Sequence, residues 1–195
     1  AVAVKVKTGE ILSAANFPTY DLSQYYSNYS EYANDPLYPL YNRAFSGLYA
    51  PGSCFKPVTA AAALTADLVE SKDYIYCGQV YTHFTDYQPT CMYHHGNINL
   101  SRALSVSCNV YFFKTGLRSG IDRLVDFAKQ FGLGCSTGLE LPESTGRMAS
   151  PQTREALGGK WQAGVCPRLG GNLISVGGMD TGELISFISY ITQIL

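Results

Sequence analysis

The chain has 195 residues, 46% of them hydrophobic and 15% charged, enough for one domain with a sizeable core. Fourteen Lys and Arg against fifteen Asp and Glu leave a formal net charge of −1, which excludes the basic footprint of a nucleic-acid binder. No apolar run is long enough to cross a bilayer, because Leu184–Leu195 is short and interrupted by polar residues, and Ala1–Val6 lacks the basic start of a secretory signal.

Val2, Val4 and Val6 alternate and Thr8-Gly9 turns the chain, so residues 1–15 are expected to form a β-hairpin. Residues 16–52 read as loop and are dense in tyrosine, with Tyr20, Tyr25, Tyr26, Tyr29, Tyr32, Tyr38, Tyr41 and Tyr49. Without basic residues between them, these tyrosines read as loop packing rather than as a stacking platform for a nucleic acid or a sugar. Pro51-Gly52 then leads into an alanine-rich helix over 53–69, able to pack closely at the centre of the domain. Residues 72–97 read as irregular. Short helices are expected over Asn99–Ser105, Asn109–Thr115 and Ile121–Phe131, the last two each stopped by glycine. Residues 132–183 read as glycine-rich loop with a helix near 151–157, and Ile185–Leu195 as a final helix or strand. Gly170-Gly171 and Gly177-Gly178 lack the spacing of a phosphate-binding loop.

Chemistry concentrates in two places. In Pro51-Gly52-Ser53-Cys54-Phe55-Lys56-Pro57, Ser53 falls in the first turn of the expected helix, with Lys56 three residues on and on the same face. A serine hydroxyl becomes a nucleophile when a neighbouring base takes its proton, and a lysine of lowered pKa is such a base. N–H groups at the helix start would face a developing oxyanion. Taken alone, these four residues read more plainly as a serine cap followed by a solvated lysine. In Ser107-Cys108-Asn109, a Ser-x-Asn triplet projects two side chains the same way from a turn between helices, so that Ser107 can relay a proton while the Asn109 amide grips a peptide bond. The plainer reading of this triplet is a helix cap.

Six cysteines stand at 54, 77, 91, 108, 135 and 166, none in a C-x-x-C pair. Cys54 and Cys108 read as small buried fillers inside the two motifs. A cysteine nucleophile at Cys54, with His83, His94 or His95 as base, has no support from spacing. Cys77 and Cys91 would form a disulfide outside the cytoplasm, worth roughly 3 kcal/mol for such a loop. Alternatively, Cys77, Cys91, His94 and His95 are a possible zinc set.

The run Asn42 to Pro57 resembles the active-serine region of penicillin-binding proteins, most closely the monofunctional (class B) transpeptidases. His95-Gly96, Leu100 to Leu104 and Ser107-Cys108-Asn109-Val110-Tyr111-Phe112-Phe113 resemble the second motif and its lead-in. Gly138-Leu139-Glu140-Leu141-Pro142-Glu143 with Gly146 is similar to a downstream landmark, and Val6 to Ala14 with Pro18 to Asp21 to the opening hairpin. The likeness covers most of residues 1–150 in order. The third motif of that family is a Lys-Thr-Gly or Lys-Ser-Gly well downstream of the second. Here Lys7-Thr8-Gly9 reads as the hairpin turn and Lys114-Thr115-Gly116 as the end of a helix, with Gly116 as its stop. The expectation is therefore a domain whose third motif lies beyond Leu195, or else a degenerate member. Gly177-Gly178-Met179 also departs from the usual Gly-Gln-Gly.

The resemblance implies an α/β fold of the α+β type, an antiparallel sheet flanked by helices, with residues 1–195 a partial transpeptidase domain. It implies acyl transfer on peptidoglycan stem peptides, with Ser53, Lys56 and Ser107 catalytic and Asn109 binding substrate. β-Lactam antibiotics would trap Ser53, and no metal or organic cofactor is implied. Implied partners are the stem peptide and other cell-wall synthesis proteins, at the extracytoplasmic face of the bacterial membrane, with an anchor outside this chain. Reduced activity and self-association are expected where the third motif is missing. A serine β-lactamase or β-lactam sensor, which shares both motifs, and a non-catalytic cell-wall interaction module remain open alternatives.

Overall fold

The computed structural model describes residues 1–85, 88–156 and 158. The segment Ile185–Leu195, the two glycine pairs and Cys166 lie outside them. The chain divides into two compact units, Ala1–Leu48 with Ser136–Thr145, and Tyr49–Cys135 with the chain from Gly146 onward.

In the first unit, β1 (Val2–Val4) and β2 (Ile11–Ala14) pair antiparallel, Val2 opposite Ala14, with an irregularity between Ala3 and Val4. Gly9 makes the turn with φ +77°, a conformation glycine adopts without penalty, and its N–H donates to the Lys5 carbonyl at 2.8 Å. A 3-10 turn at Leu22–Gln24 and α1 (Tyr29–Asn34) follow, where the sequence suggested loop. None of the residues of α1 is buried, so no apolar period could announce it. Instead tyrosine rings pack on one another, Tyr20 with Tyr25 and Tyr32, and Tyr25 with Tyr29, at centroid distances of 5.5–5.7 Å. Arg43 donates to the Leu37 and Tyr38 carbonyls, and Asn16 bonds both Asn42 and the Ala44 N–H. The Glu143 carboxylate gathers the Thr137 and Gly138 N–H groups and the Ser136 and Thr137 hydroxyls, which lower its pKa.

The second unit is built around α2 (Lys56–Thr65), which continues a 3-10 turn over Gly52–Phe55. One flank of this helix, Phe55, Val58 and Ala62, packs with Met148 and with Leu124 and Ala128 of α5 (Ile121–Gln130). The other, Ala60 and Ala63, joins a core of Val69, Ile75, Ile98, Ala103 and the run Val110–Phe113. Alanines allow this two-sided approach. The helix ends four residues before the expected boundary, because Asp67 adopts φ +53° and the Asp67 and Leu68 N–H groups return to the Leu64 and Ala63 carbonyls. That is a Schellman stop with aspartate in the place glycine usually takes.

The stretch expected to be irregular contains β3 (Ile75–Cys77) and β4 (Gly96–Ile98), antiparallel with Ile75 opposite Ile98 and Cys77 opposite Gly96. Three residues are too few for alternation to register. Asn99 caps α3 (Leu100–Ser105) through the Arg102 N–H at 3.0 Å. α4 (Asn109–Ser119) runs through Gly116 instead of stopping there, since Gly116 is buried among neighbours, and Gly120 at φ +75° ends it. Lys114-Thr115-Gly116 is thus mid-helix, with the Lys114 amine on the Tyr76 carbonyl at 2.8 Å. α5 buries the Leu124 and Ala128 side of an Ile121-Leu124-Val125-Ala128 stripe, and α6 (Pro151–Ala156) begins behind Ser150, whose hydroxyl accepts from the Thr153 N–H. No helix among the described residues is long and apolar enough to cross a membrane.

Candidate active site

Ser53 and Lys56 straddle the junction of the 3-10 turn and α2. A 3-10 turn has three residues per turn, so side chains at i and i+3 eclipse one another. The positive φ of Gly52, +52°, lets the chain enter that turn. Ser53 is exposed, whereas Lys56 is only 3% exposed.

The second strand of the site arrives from the turn between α3 and α4. Ser107 is left-handed there, φ +51°, a conformation that costs a non-glycine residue roughly 1–2 kcal/mol. Both its carbonyl and its hydroxyl then face Lys56. The Lys56 ammonium donates to the Ser107 carbonyl at 2.7 Å, the Ser107 hydroxyl at 2.8 Å and Asn109 Oδ1 at 2.8 Å. The Ser107 hydroxyl in turn donates to Ser53 Oγ at 3.1 Å. All four residues singled out from the sequence therefore meet, but not as drawn there. Lys56 reaches Ser53 through Ser107 rather than directly. The Asn109 amide has its oxygen on Lys56 and one N–H donating to the Thr90 carbonyl at 3.2 Å, which leaves its second N–H for the substrate amide it is expected to orient. The partners fix that orientation, since an ammonium only donates and a carbonyl only accepts.

Burial lowers the Lys56 pKa to about 8. Three acceptors and the Phe112 ring, 5.8 Å from the ammonium, keep the charged form tolerable in this place. At a pKa of about 8, about one molecule in ten carries a neutral amine at pH 7, against roughly one in 2,500 for an ordinary lysine. The arrangement thus supplies a base, a hydroxyl bridge and an exposed hydroxyl in one chain of hydrogen bonds.

Directly behind the Ser107-Asn109 turn, the ligand atoms of Cys77, Cys91, His95 and Cys108 lie within 4.8 Å of one another. His95 Nδ1 is 3.6 Å from Cys77 Sγ and 3.5 Å from Cys91 Sγ, and Cys91 and Cys108 sulfurs are 3.9 Å apart. A tetrahedral zinc-class ion needs edges of about 3.8 Å between sulfurs and about 3.6 Å between sulfur and nitrogen. The donor set and spacing fit such an ion. Asn109 and Tyr111 N–H groups point at the Cys91 and Cys108 sulfurs at 3.3 and 3.4 Å, as thiolate ligands require. Burial pushes the Cys108 thiol up to about 12, so an ion would have to displace its proton. Burial also raises the Cys91 thiol, but N–H groups of Asn109, Tyr93 and Val110 outweigh it and bring the net pKa down. Burial first, then the Arg102 charge, lowers His95 and keeps its ring neutral. The expectation of no metal residue thus meets a set of four that fits one.

The zinc set considered from the sequence is altered here: His94 bonds the Tyr76 hydroxyl at 3.0 Å, and Cys108 takes its place. Cys108 is buried as expected, whereas Cys54 is exposed and fills no core. That the Cys108 sulfur also joins this cluster was hidden because the sequence places it in the serine motif and far from Cys77. Nor do the histidines serve Cys54, since His83 stacks on Tyr81 while His94 and His95 are engaged as described.

Residues 1–177 match the family model described as the penicillin binding protein transpeptidase domain. The peptidoglycan D,D-transpeptidase MrdA of Acinetobacter baumannii is 32% identical over 179 residues, which cover 84% of this chain and 26% of that protein. The chain thus spans about a quarter of the length of the curated relatives it matches. Among solved structures, the complex between penicillin-binding protein PBP2 and MreC from Helicobacter pylori is 25% identical, with a TM-score of 0.79 over 88% of this chain and 34% of that one. The penicillin G acyl-enzyme complex of penicillin-binding protein A from M. tuberculosis is 31% identical, with a TM-score of 0.62 over 74% of this chain and 37% of the other. These are the folds and the domain that the Ser-x-x-Lys and Ser-x-Asn elements suggested, and a match running from residue 1 to residue 177 decides the matter: this chain belongs to the penicillin-binding protein transpeptidase family.

Proposed function

We propose that this chain carries the acylating centre of a peptidoglycan D,D-transpeptidase. Ser53 Oγ attacks the carbonyl of the penultimate D-alanine of a stem peptide, and the terminal D-alanine leaves. An amine of a neighbouring strand then attacks the ester, which gives the cross-link and returns the serine. The observation that carries this reading is the continuous chain Lys56 Nζ–Ser107 Oγ–Ser53 Oγ, with links of 2.8 and 3.1 Å.

In the charged state the chain runs outward, each group donating toward Ser53. Loss of one proton from Lys56 allows it to reverse: Ser107 donates to the amine, and Ser53 donates to Ser107. The serine proton thereby reaches Lys56 as Oγ attacks. Running outward again, the same chain returns a proton through Ser107 to the departing nitrogen. Asn109 holds Lys56 through its amide oxygen and the Thr90 carbonyl through one N–H, and in this scheme its second N–H orients the substrate amide.

A β-lactam imitates the D-alanyl-D-alanine end and leaves Ser53 esterified. Substrate at the extracytoplasmic face of the membrane and partners among cell-wall synthesis proteins follow from the same reading. Fluorescent penicillin, followed by mass mapping, tests it. A single stable adduct on Ser53, formed slowly where the third motif is missing and absent from Ser53→Ala, is expected. No adduct refutes the acylation chemistry, and an adduct hydrolysed within seconds assigns the site to a β-lactamase.

A further inference from the structure

We infer that Cys91 and Cys108 form an oxidisable pair, and that their disulfide takes apart the hydrogen-bond chain between Lys56 and Ser53. The functional half of this inference rests on the acylation reading above; the structural half does not.

The two sulfurs are 3.9 Å apart, and the residues are 4% and 0% exposed. Cys91 keeps 4% of its surface exposed, and its chain neighbours Thr90 and Met92 are exposed. Each sulfur is also bonded to the backbone of the catalytic turn. Cys91 Sγ accepts from the N–H of Asn109, and Cys108 Sγ accepts from the N–H of Tyr111 while sitting between Ser107 and Asn109 in the chain.

A disulfide needs its sulfurs about 2.0 Å apart, so this pair must close by roughly 1.9 Å. Whichever sulfur moves gives up its N–H partner. If Cys91 moves, Asn109 loses the bond that seats its backbone. If Cys108 moves, α4 loses its N-terminal cap. Ser107 is already left-handed and has little freedom to absorb the change. The Ser107 carbonyl, the Ser107 hydroxyl and Asn109 Oδ1 are the three acceptors of Lys56, so the turn cannot shift without altering them.

The chemistry balances with a hydroperoxide as oxidant. The Cys91 thiol attacks hydrogen peroxide, giving a sulfenic acid and water. The Cys108 thiol then attacks that sulfur, expelling a second water and forming the S–S bond. The two sulfurs are oxidised together by two electrons, and the peroxide is reduced to water. An ion held by Cys77, Cys91, His95 and Cys108 would occupy the same sulfur electron pairs, so bound metal and disulfide exclude each other. Cys54 and Cys135 are exposed and lie outside this cluster, and they serve as internal markers of oxidant dose.

The experiment treats chelator-stripped and zinc-supplemented protein with hydrogen peroxide. Non-reducing peptide mapping, amide hydrogen exchange over 105–112 and fluorescent penicillin labelling are then followed together. The expected result in stripped protein is a Cys91–Cys108 cross-link, exchange at 107–112 faster by at least tenfold, and labelling slower by at least tenfold. Dithiothreitol reverses all three, and zinc delays them. A cross-link to Cys77 instead, no cross-link while Cys54 is fully oxidised, or a Cys91–Cys108 cross-link that leaves exchange unchanged overturns the inference. Absence of labelling before any oxidant is added would sink the acylation reading alone, because mapping and exchange still decide this one.

Discussion

Replacing Ser107 by alanine removes one oxygen that serves two bonds. Lys56 loses its 2.8 Å acceptor and Ser53 loses its 3.1 Å donor. Two acceptors of the ammonium survive, the Ser107 carbonyl at 2.7 Å and Asn109 Oδ1 at 2.8 Å, so Lys56 stays in place. The base therefore remains near the nucleophile but without the hydroxyl that passes the proton. Positioned acid–base groups contribute about 10²–10⁴-fold, and a loss of that order in the acylation rate is expected. Stability should change by less than about 1 kcal/mol, because Ser107 is exposed and water can replace its hydroxyl. Ser107→Gly separates strain from chemistry. It lacks the same oxygen but favours φ +51°, so it should be about 1 kcal/mol more stable than Ser107→Ala and equally slow. Stopped-flow labelling with a fluorescent penicillin and urea unfolding measure the two quantities. A Ser107→Ala protein that acylates within threefold of the unsubstituted one would show that Lys56 reaches Ser53 without the relay.

With the Lys56 pKa held near 8, acylation should rise with pH and level off above it, and a flat profile from pH 6 to 9 would contradict a lysine base. Lys56 also sets a sign for stability: its folded pKa is below the unfolded one, so between about pH 8 and 10 the unfolded chain binds more protons. The contribution of this residue to folding free energy therefore grows as pH rises through that window, which Lys56→Met, unfolded alongside the parent, should abolish. Asn109→Asp places a carboxylate against the ammonium, which raises the Lys56 pKa and should move the midpoint of the rise in the acylation profile upward by about 1 unit or more. One equivalent of zinc should bind to the quartet of Cys77, Cys91, His95 and Cys108 and raise the melting temperature, and native mass spectrometry of the reduced protein checks this. Leu124→Ala, emptying the core between α5 and α2, should cost about 2–5 kcal/mol in a denaturant titration.

Local signals carried the sequence reading a long way where they were strong. Alternating valines and Thr8-Gly9 marked the first hairpin, and Pro51-Gly52 with an alanine run marked the helix that carries Lys56. The ends of elements were less legible. Asp67 closes a helix by adopting a glycine-like conformation, and Gly116 fails to close one because its surroundings are packed. β3 and β4 are held by tertiary partners rather than by any pattern of their own. In the site, residue types were readable and topology was not. Whether Lys56 meets Ser53 directly or across Ser107 depends on a left-handed turn 51 residues later. The thiol cluster likewise draws on β3, the loop before β4 and the cap of α4, and no spacing rule joins those three.

The junction that seats Lys56 has a bearing on biogenesis. Its three acceptors come from a stretch of chain synthesised some fifty residues after it, so the depressed basicity exists only once the two segments have docked. A nascent or partly unravelled polypeptide carries an ordinary serine and an ordinary, fully charged lysine, and is inert toward acyl donors. If Ser53 is acylated as proposed, penicillin uptake in a preparation of this protein would count the molecules that have completed folding.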